Sequence, residues 1–390
     1  MPGLPTKPLT LMLVCGEPSG DQLGAQLMAA LKTLTGGSVK IVGVGGEAMA
    51  AQGLKSLYPL DVTAIMGLRE VVPRIPAILA RVRQAAEYAV QTQPDAVVLI
   101  DSPDFTHRIA RRLKAIAPRI ATINYVAPQV WASRAYRARA MASYFDMVLA
   151  LLPFEVPFFE SYGVRTVFVG HPAIERAKRM TGGDAFRARH GISSQAPLLA
   201  VLPGSRTNEV RFILPAFRDA IRLLAGRVPG LVTVLPTVPH VAARVREGAA
   251  NWPVPLHIVE GEDEKFAAFD AADAALAASG TVTTELALSR TPMVVAYKVG
   301  WLTYRLMKPL IHVKFATIAN LLLDREAVPE FLQERCKPQP IADALAALLT
   351  DKDAAARQVA DLDEAMHRLG QGAEQPSLRA ARAIIDFVRR

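Results

Sequence analysis

The feature that most constrains this chain is a recurrence of short, unbroken aliphatic runs, each followed by a helix-like stretch. Residues 9–15, 40–44, 96–100, 120–125, 147–151 and 166–169 form a first series. A strand with one wet face alternates polar and apolar residues, whereas continuous runs predict a parallel sheet covered by helices on both faces. The series halts at Gly170-His171-Pro172 and a charged stretch through His190. It resumes at residues 198–202, 231–235, 256–259, 274–278 and 293–296. Two doubly wound α/β domains joined near residues 172–190 account for the pattern, and 390 residues is a natural length for two. The expected boundaries are 1–175 and 176–345, followed by an Ala- and Leu-rich helical segment, 346–390.

Composition removes several classes. Hydrophobic residues make up 51%, too many for a disordered chain. Cys15 and Cys336 stand alone, so neither a disulfide framework nor a zinc site is suggested, and no metal is expected. The apolar run before Cys15 is too short for a signal sequence, and Val14 is too large for a cleavage site, which points to the cytosol. Lys and Arg total 45 against 36 Asp and Glu, a net charge of +9 that favours an anionic partner. With no apolar stretch long enough to span a bilayer, an anionic membrane surface fits this balance. The basic residues are dispersed and aromatics are only 6%, so nucleic acid fits less well.

In doubly wound sheets ligands sit beyond the carboxyl ends of the strands, so the loops there are the places to look for chemistry. After the first strand comes Gly16-Glu17-Pro18-Ser19-Gly20-Asp21. Ser19 with Gln22 reads as a capping box, which leaves Glu17 unexplained and a candidate acid or base. The third strand ends in Asp101-Ser102-Pro103-Asp104. Asp104 has a structural alternative as a helix N-cap, and Asp101, at the strand tip, is the better candidate base. In the second half, Gly204-Ser205-Arg206 offers a close backbone approach and a guanidinium for phosphate. Ser279-Gly280-Thr281 offers free N–H groups at a strand-to-helix turn, suited to a diphosphate. Glu285 is either a ribose-hydroxyl acceptor or a solvated helix residue. Gly43-Val44-Gly45-Gly46 lacks the third glycine of the dinucleotide fingerprint, which disfavours a dehydrogenase.

From Ile65 to Arg83, Leu68, Val72 and Ile75 fall with other apolar residues on one helical face, with arginines elsewhere. This is either a core-facing helix or one that lies shallowly in a membrane surface.

Taken in order, these loops resemble the lipid-A-disaccharide synthase family of inverting glycosyltransferases. The resemblance extends through Gly45-Gly46-Glu47-Ala48-Met49, Tyr125-Val126-Ala127-Pro128-Gln129-Val130-Trp131, Leu152-Pro153-Phe154-Glu155 and Gly170-His171-Pro172. It implies a GT-B fold, in which two Rossmann-like domains face each other across a cleft and C-terminal helices cross back to the first. It implies transfer of 2,3-diacylglucosamine from its UDP derivative to 2,3-diacylglucosamine 1-phosphate, giving a β-1,6-linked disaccharide phosphate and UDP, without cofactor. Carried over by motif, Asp101 and Glu17 are catalytic candidates and Asn320 a functional polar residue. Arg206 becomes a nucleotide-phosphate contact, with Ser279, Gly280, Thr281 and Glu285 on the nucleotide side. The implied location is the inner face of the cytoplasmic membrane. Two departures stand out: Thr317-Ile318-Ala319-Asn320 where the family reads Ser-Leu-Pro-Asn, and Ala132-Ser133 where it reads Ala-Trp. The rival readings are another GT-B enzyme using a UDP-aminosugar, such as a peptidoglycan glycosyltransferase or a 2-epimerase, and a non-catalytic basic protein.

Overall fold

The structure, a computed structural model, describes residues 8–60, 75–132, 135–300, 304–305 and 313–389. Among these, twelve strands form two six-stranded sheets. The first holds β1 (Leu9–Cys15), β2 (Val39–Val44), β3 (Ala96–Ile100), β4 (Ala121–Tyr125), β5 (Met147–Ala150) and β6 (Thr166–Phe168), in the order β2-β1-β3-β4-β5-β6. The second holds β7 (Leu198–Leu202), β8 (Val232–Thr237), β9 (Leu256–Glu260), β10 (Ala274–Ala277), β11 (Met293–Tyr297) and β12 (Glu330–Leu332), in the order β12-β11-β10-β7-β8-β9. Neighbouring strands pair in parallel. Every residue of the central strands β3 and β7 is buried, which is why those segments carry no polar alternation. The apolar-run pattern does not announce β12, a three-residue edge strand that opens on a buried glutamate.

The chain divides into two compact units, Met1–Pro172 with Gly372–Arg390, and Ala173–Gln371. The segment 346–390, expected to return to the first domain as a whole, is therefore split. Helix Lys352–Arg368 stays in the second unit, where Leu362, Ala365 and Met366 are buried. There the Gln358 amide pairs with both backbone groups of Met293. Only helix Pro376–Val388 joins the first unit, packing Ala380, Ala381, Ile384 and Ile385 into the core that holds Leu27 and Leu31.

Of the suspected membrane-facing residues, Leu68 and Val72 lie outside the described residues. Ile75 opens the helix Ile75–Thr92 and is 42% exposed, as is Leu79 at 46%, whereas Val82, Ala85, Ala86 and Ala89 are buried. The apolar face thus changes purpose along its length, from exposed first turns to core. Among the described residues no helix is long and apolar enough to cross a membrane.

The glycine turn at residues 43–46 is used for packing. A Cβ on Gly43, whose φ is +135°, would lie 1.9 Å from the Leu13 carbonyl oxygen of the neighbouring strand. One on Gly46 would lie 2.7 Å from an Asp21 carboxylate oxygen. Gly43→Ala should cost about 3 kcal/mol or more in denaturant titration, because the paired strands must part. The control Gly163→Ala, at φ +81° with open space around it, should cost only about 1 kcal/mol.

Candidate functional site

Where strand order reverses in an open parallel sheet, the loops from two neighbouring strands run in opposite directions and leave a crevice at their carboxyl ends. The reversals fall between β1 and β3 in one unit and between β7 and β10 in the other. These are the strands that carry the candidate loops.

In the first unit Cys15 pairs with Ile100, so Glu17 and Asp101 leave the sheet side by side. Asp101 and Ser102 both adopt left-handed backbone, at φ +53° and +45°. Such conformations cost about 1–3 kcal/mol each in non-glycine residues and persist only where the surroundings enforce them. The enforcement is visible: the Asp101 N–H donates to the Tyr125 carbonyl at 2.9 Å, and the Thr106 hydroxyl donates to the Asp101 carbonyl at 2.7 Å. The Asp101 carboxylate is half-buried and accepts a hydrogen bond from the Ser19 hydroxyl at 3.1 Å. The capping role expected of Ser19 is therefore corrected. Helix Pro18–Thr35 begins two residues earlier, with Glu17 at its N-cap position, and Ser19 is free to point across to Asp101. Asp104 is likewise no N-cap, since Ser102 holds that position. Asp21, which the motif carried without explanation, is buried and accepts from the N–H groups of Gly46, Ala48 and Met49, tying the two glycine loops together.

In the second unit one cavity of about 320 Å³ is lined by every nucleotide-side candidate, Gly204, Ser205, Arg206, Ser279, Gly280, Thr281 and Glu285, but not by Asn320. Glu209 organises one wall. Its carboxylate accepts from the N–H groups of Ser205 and Arg206 at 3.2 and 3.3 Å, and from the Arg206 guanidinium at 2.9 Å. Gly204, at φ +106°, is required because a Cβ would lie 2.6 Å from that carboxylate, so the close approach it permits is to Glu209. The Arg206 side chain is 68% exposed and can reach a bound anion. On the opposite wall helix Thr281–Leu288 begins at Gly280, and its first N–H groups have no partner within the helix, an anion-binding arrangement. Glu285 is no solvated residue: it is 4% exposed and ion-paired to Arg176 at 3.1 Å and Lys265 at 2.9 Å. Each of its oxygens still has a lone pair to offer.

Several lining residues escaped the sequence reading, Glu209, Thr237 and Lys265 among them. Lys265 gives no sequence signal. Thr237 ends β8, where the carboxyl-end rule could have found it; it is 8% exposed and its hydroxyl has no partner among the described residues. Glu155, within a matched motif, accepts from Leu151 N–H, Leu152 N–H and the Trp131 indole. Burial pushes its carboxyl up to about 7 against the pull of those donors.

Asn320, expected as a functional polar residue, lies within a structural network. It is fully buried, and its amide nitrogen donates to the Val328 carbonyl and Glu330 carboxylate while its oxygen accepts from Ala327 and Val328 N–H. All four of its hydrogen-bonding capacities are spent. The same Glu330 carboxylate accepts from Ala316 N–H and from the Thr317 N–H and hydroxyl, and the Ala316 carbonyl receives the Ser279 hydroxyl at 3.3 Å. Asn320 thus supports the cavity from behind. Helix Ile318–Leu323 forms with Thr317 as N-cap and Ala319 in place of the family's proline. Asn320→Ala should lower stability by about 2–4 kcal/mol in thermal or denaturant unfolding, because it strands buried partners. A substrate contact would instead lower activity with stability unchanged.

With this geometry in place, the comparisons are specific. The profile of a family described as lipid-A-disaccharide synthetase matches residues 11–385. The chain is 47% identical to a lipid-A-disaccharide synthase of Rhodospirillum centenum over 98% of its own length and 95% of that protein's. It is 46% identical to the one of Paramagnetospirillum magneticum, over 98% of each. Among solved structures it is similar to a UDP-GlcNAc 2-epimerase of Neisseria meningitidis bound to UDP-GlcNAc, with TM-score 0.62 and 13% identity over 98% of this chain and 100% of that one. It is also similar to Acinetobacter baumannii MurG, with TM-score 0.57 and 16% identity over 98% and 99%. The structural likenesses establish a GT-B fold, and the rival activities they suggest are not favoured beside the sequence matches. The chain belongs to the lipid-A-disaccharide synthase family of glycosyltransferases.

Proposed function

We propose that the chain transfers 2,3-diacylglucosamine from its UDP derivative to 2,3-diacylglucosamine 1-phosphate, with inversion, forming the β-1,6-linked disaccharide phosphate and UDP. The observation that carries this reading is the convergence of the family's loops on the two strand-order reversals. Asp101 takes the proton of the acceptor's 6-hydroxyl as that oxygen attacks the donor's anomeric carbon. The bond to UDP breaks with its electrons passing to the diphosphate. Arg206 and the first N–H groups of helix Thr281–Leu288 stabilise the charge that develops there. Thr237 and Glu285 offer polar contacts to the nucleoside. Glu17 stands beside Asp101 as a second acid or base. The reading calls for neither metal nor cofactor.

Incubation with both acylated sugars and chromatographic detection of a disaccharide phosphate tests the reading directly. Asp101→Ala should lower turnover by about 10²- to 10⁴-fold, with UDP affinity unchanged in calorimetry. Arg206→Ala should weaken UDP binding and turnover together, since the same cation serves bound and departing UDP.

Acylated substrates place the reaction at an anionic membrane surface, on the inner face of the cytoplasmic membrane. Ile75 and Leu79, exposed at the start of their helix, support this. Replacing both with Ser should reduce sedimentation with phosphatidylglycerol vesicles at unchanged melting temperature. Lost stability with vesicle binding retained would make them ordinary core.

A further inference from the structure

The first unit contains another cavity, of about 400 Å³, walled by helices Pro103–Ile116 and Tyr136–Met141. Three guanidinium groups line it, those of Arg108, Arg111 and Arg137, against one carboxylate, Asp104. Arg108 donates to the Asp104 main-chain carbonyl at 2.8 Å and Arg111 to the Tyr144 hydroxyl at 3.3 Å. Both acceptors are neutral, so neither bond cancels the charge.

His107 lines the same cavity and is 9% exposed. Its Nδ1 lies 3.2 Å from the Tyr144 hydroxyl, while Nε2 is buried without a hydrogen-bond partner among the described residues. Burial, reinforced by the charges of Arg111 and Arg137, pushes the imidazole down to about 4, so it is neutral at pH 7. Because the Tyr144 oxygen already accepts from Arg111, its own proton can go to Nδ1, which leaves an N–H on Nε2. Nε2 is itself shielded from solvent, but the ring lies beside three exposed arginines, so an anion held by them acts on its nitrogens.

The surroundings say which kind of anion. A neighbouring cavity of about 640 Å³ shares Arg108 and Arg111, adds Arg83 and Arg112, and is completed by Pro76, Leu79, Ala80 and Val82, so apolar side chains adjoin the charged ones. Asp101 stands two residues before the helix that carries His107. From Pro103 to His107 the helix rises about 6 Å, the scale of one sugar ring.

We propose that His107, Arg108, Arg111 and Arg137 form a phosphate-monoester site that takes the anomeric phosphate of the acylated acceptor. The identity of the ligand rests on the acceptor reading above; the anion site rests on the cavity itself. The full chain with ¹⁵N-labelled histidine is titrated with glucosamine 1-phosphate, with glucosamine and with phosphatidylglycerol vesicles. The expected result is a saturable shift of the His107 ring nitrogens with glucosamine 1-phosphate, and none with glucosamine. Arg137→Met, at an exposed position that should not disturb folding, should weaken that response. It should also raise the acceptor KM by about tenfold or more, the weight of one charge-assisted hydrogen bond, with donor KM and UDP affinity unchanged. No response of His107 to glucosamine 1-phosphate would overturn the site, and a response to vesicles alone would replace the monoester by a phospholipid headgroup. If His107 responds while the unaltered chain makes no disaccharide, the anion site stands and the acceptor assignment falls.

Discussion

A parallel strand buried on both faces can offer chemistry only at its ends, and this constraint governs both units. The core of each sheet is spent on packing, so polar function is confined to loops at the carboxyl edge. Within that edge, a crevice exists only where strand order reverses. The chain places its acidic pair at one reversal and its phosphate-type loops at the other. Selection among many glycine-rich turns is therefore made by topology: the turn at residues 43–46 lies beside a reversal and serves packing, whereas those at 204 and 280 flank one directly and line a cavity.

The loops owe their shapes to carboxylates turned inward. Asp21 gathers three N–H groups of the second glycine loop, Glu209 fastens Ser205 and Arg206, Glu155 fastens the turn after β5, and Glu330 fastens the segment behind Ser279. Asp21, Glu155 and Glu330 are held by N–H and hydroxyl donors, and Glu209 by the Arg206 guanidinium as well, and such charge-assisted bonds fix a loop firmly. Asp101, by contrast, is a half-exposed carboxylate not consumed by such a task.

Much of the fold was legible because continuous apolar runs have few other uses; eleven of the twelve strands announce themselves this way. β12 does not, since an edge strand beginning with Glu330 takes its place from a hydrogen-bond network with distant partners. The second-unit cavity was legible in part, because small residues at strand-to-helix turns have a direct meaning, whereas Glu209 and Lys265 lie within helices and carry no such mark. Ser19 misled because a capping pattern is local, while its hydroxyl answers to a residue on another strand. For Asn320 the motif marks the position, and only the fold shows the buried partners that its side chain takes. His107 carried no signal at all, as a histidine amid helix arginines differs from a solvated one only in what covers it.

The last helix has a consequence for the order in which the molecule is made. Ile384 and Ile385 pack in the same core as Leu27 and Leu31, and Arg379 donates to the Phe168 carbonyl at 2.7 Å. The first unit to leave the ribosome therefore lacks part of its interior until the whole second unit has been translated. Synthesis proceeds at roughly 5–20 residues per second, so an incomplete hydrophobic face persists for many seconds. The nascent first unit must wait, shielded or in a loosened form, for its own final residues.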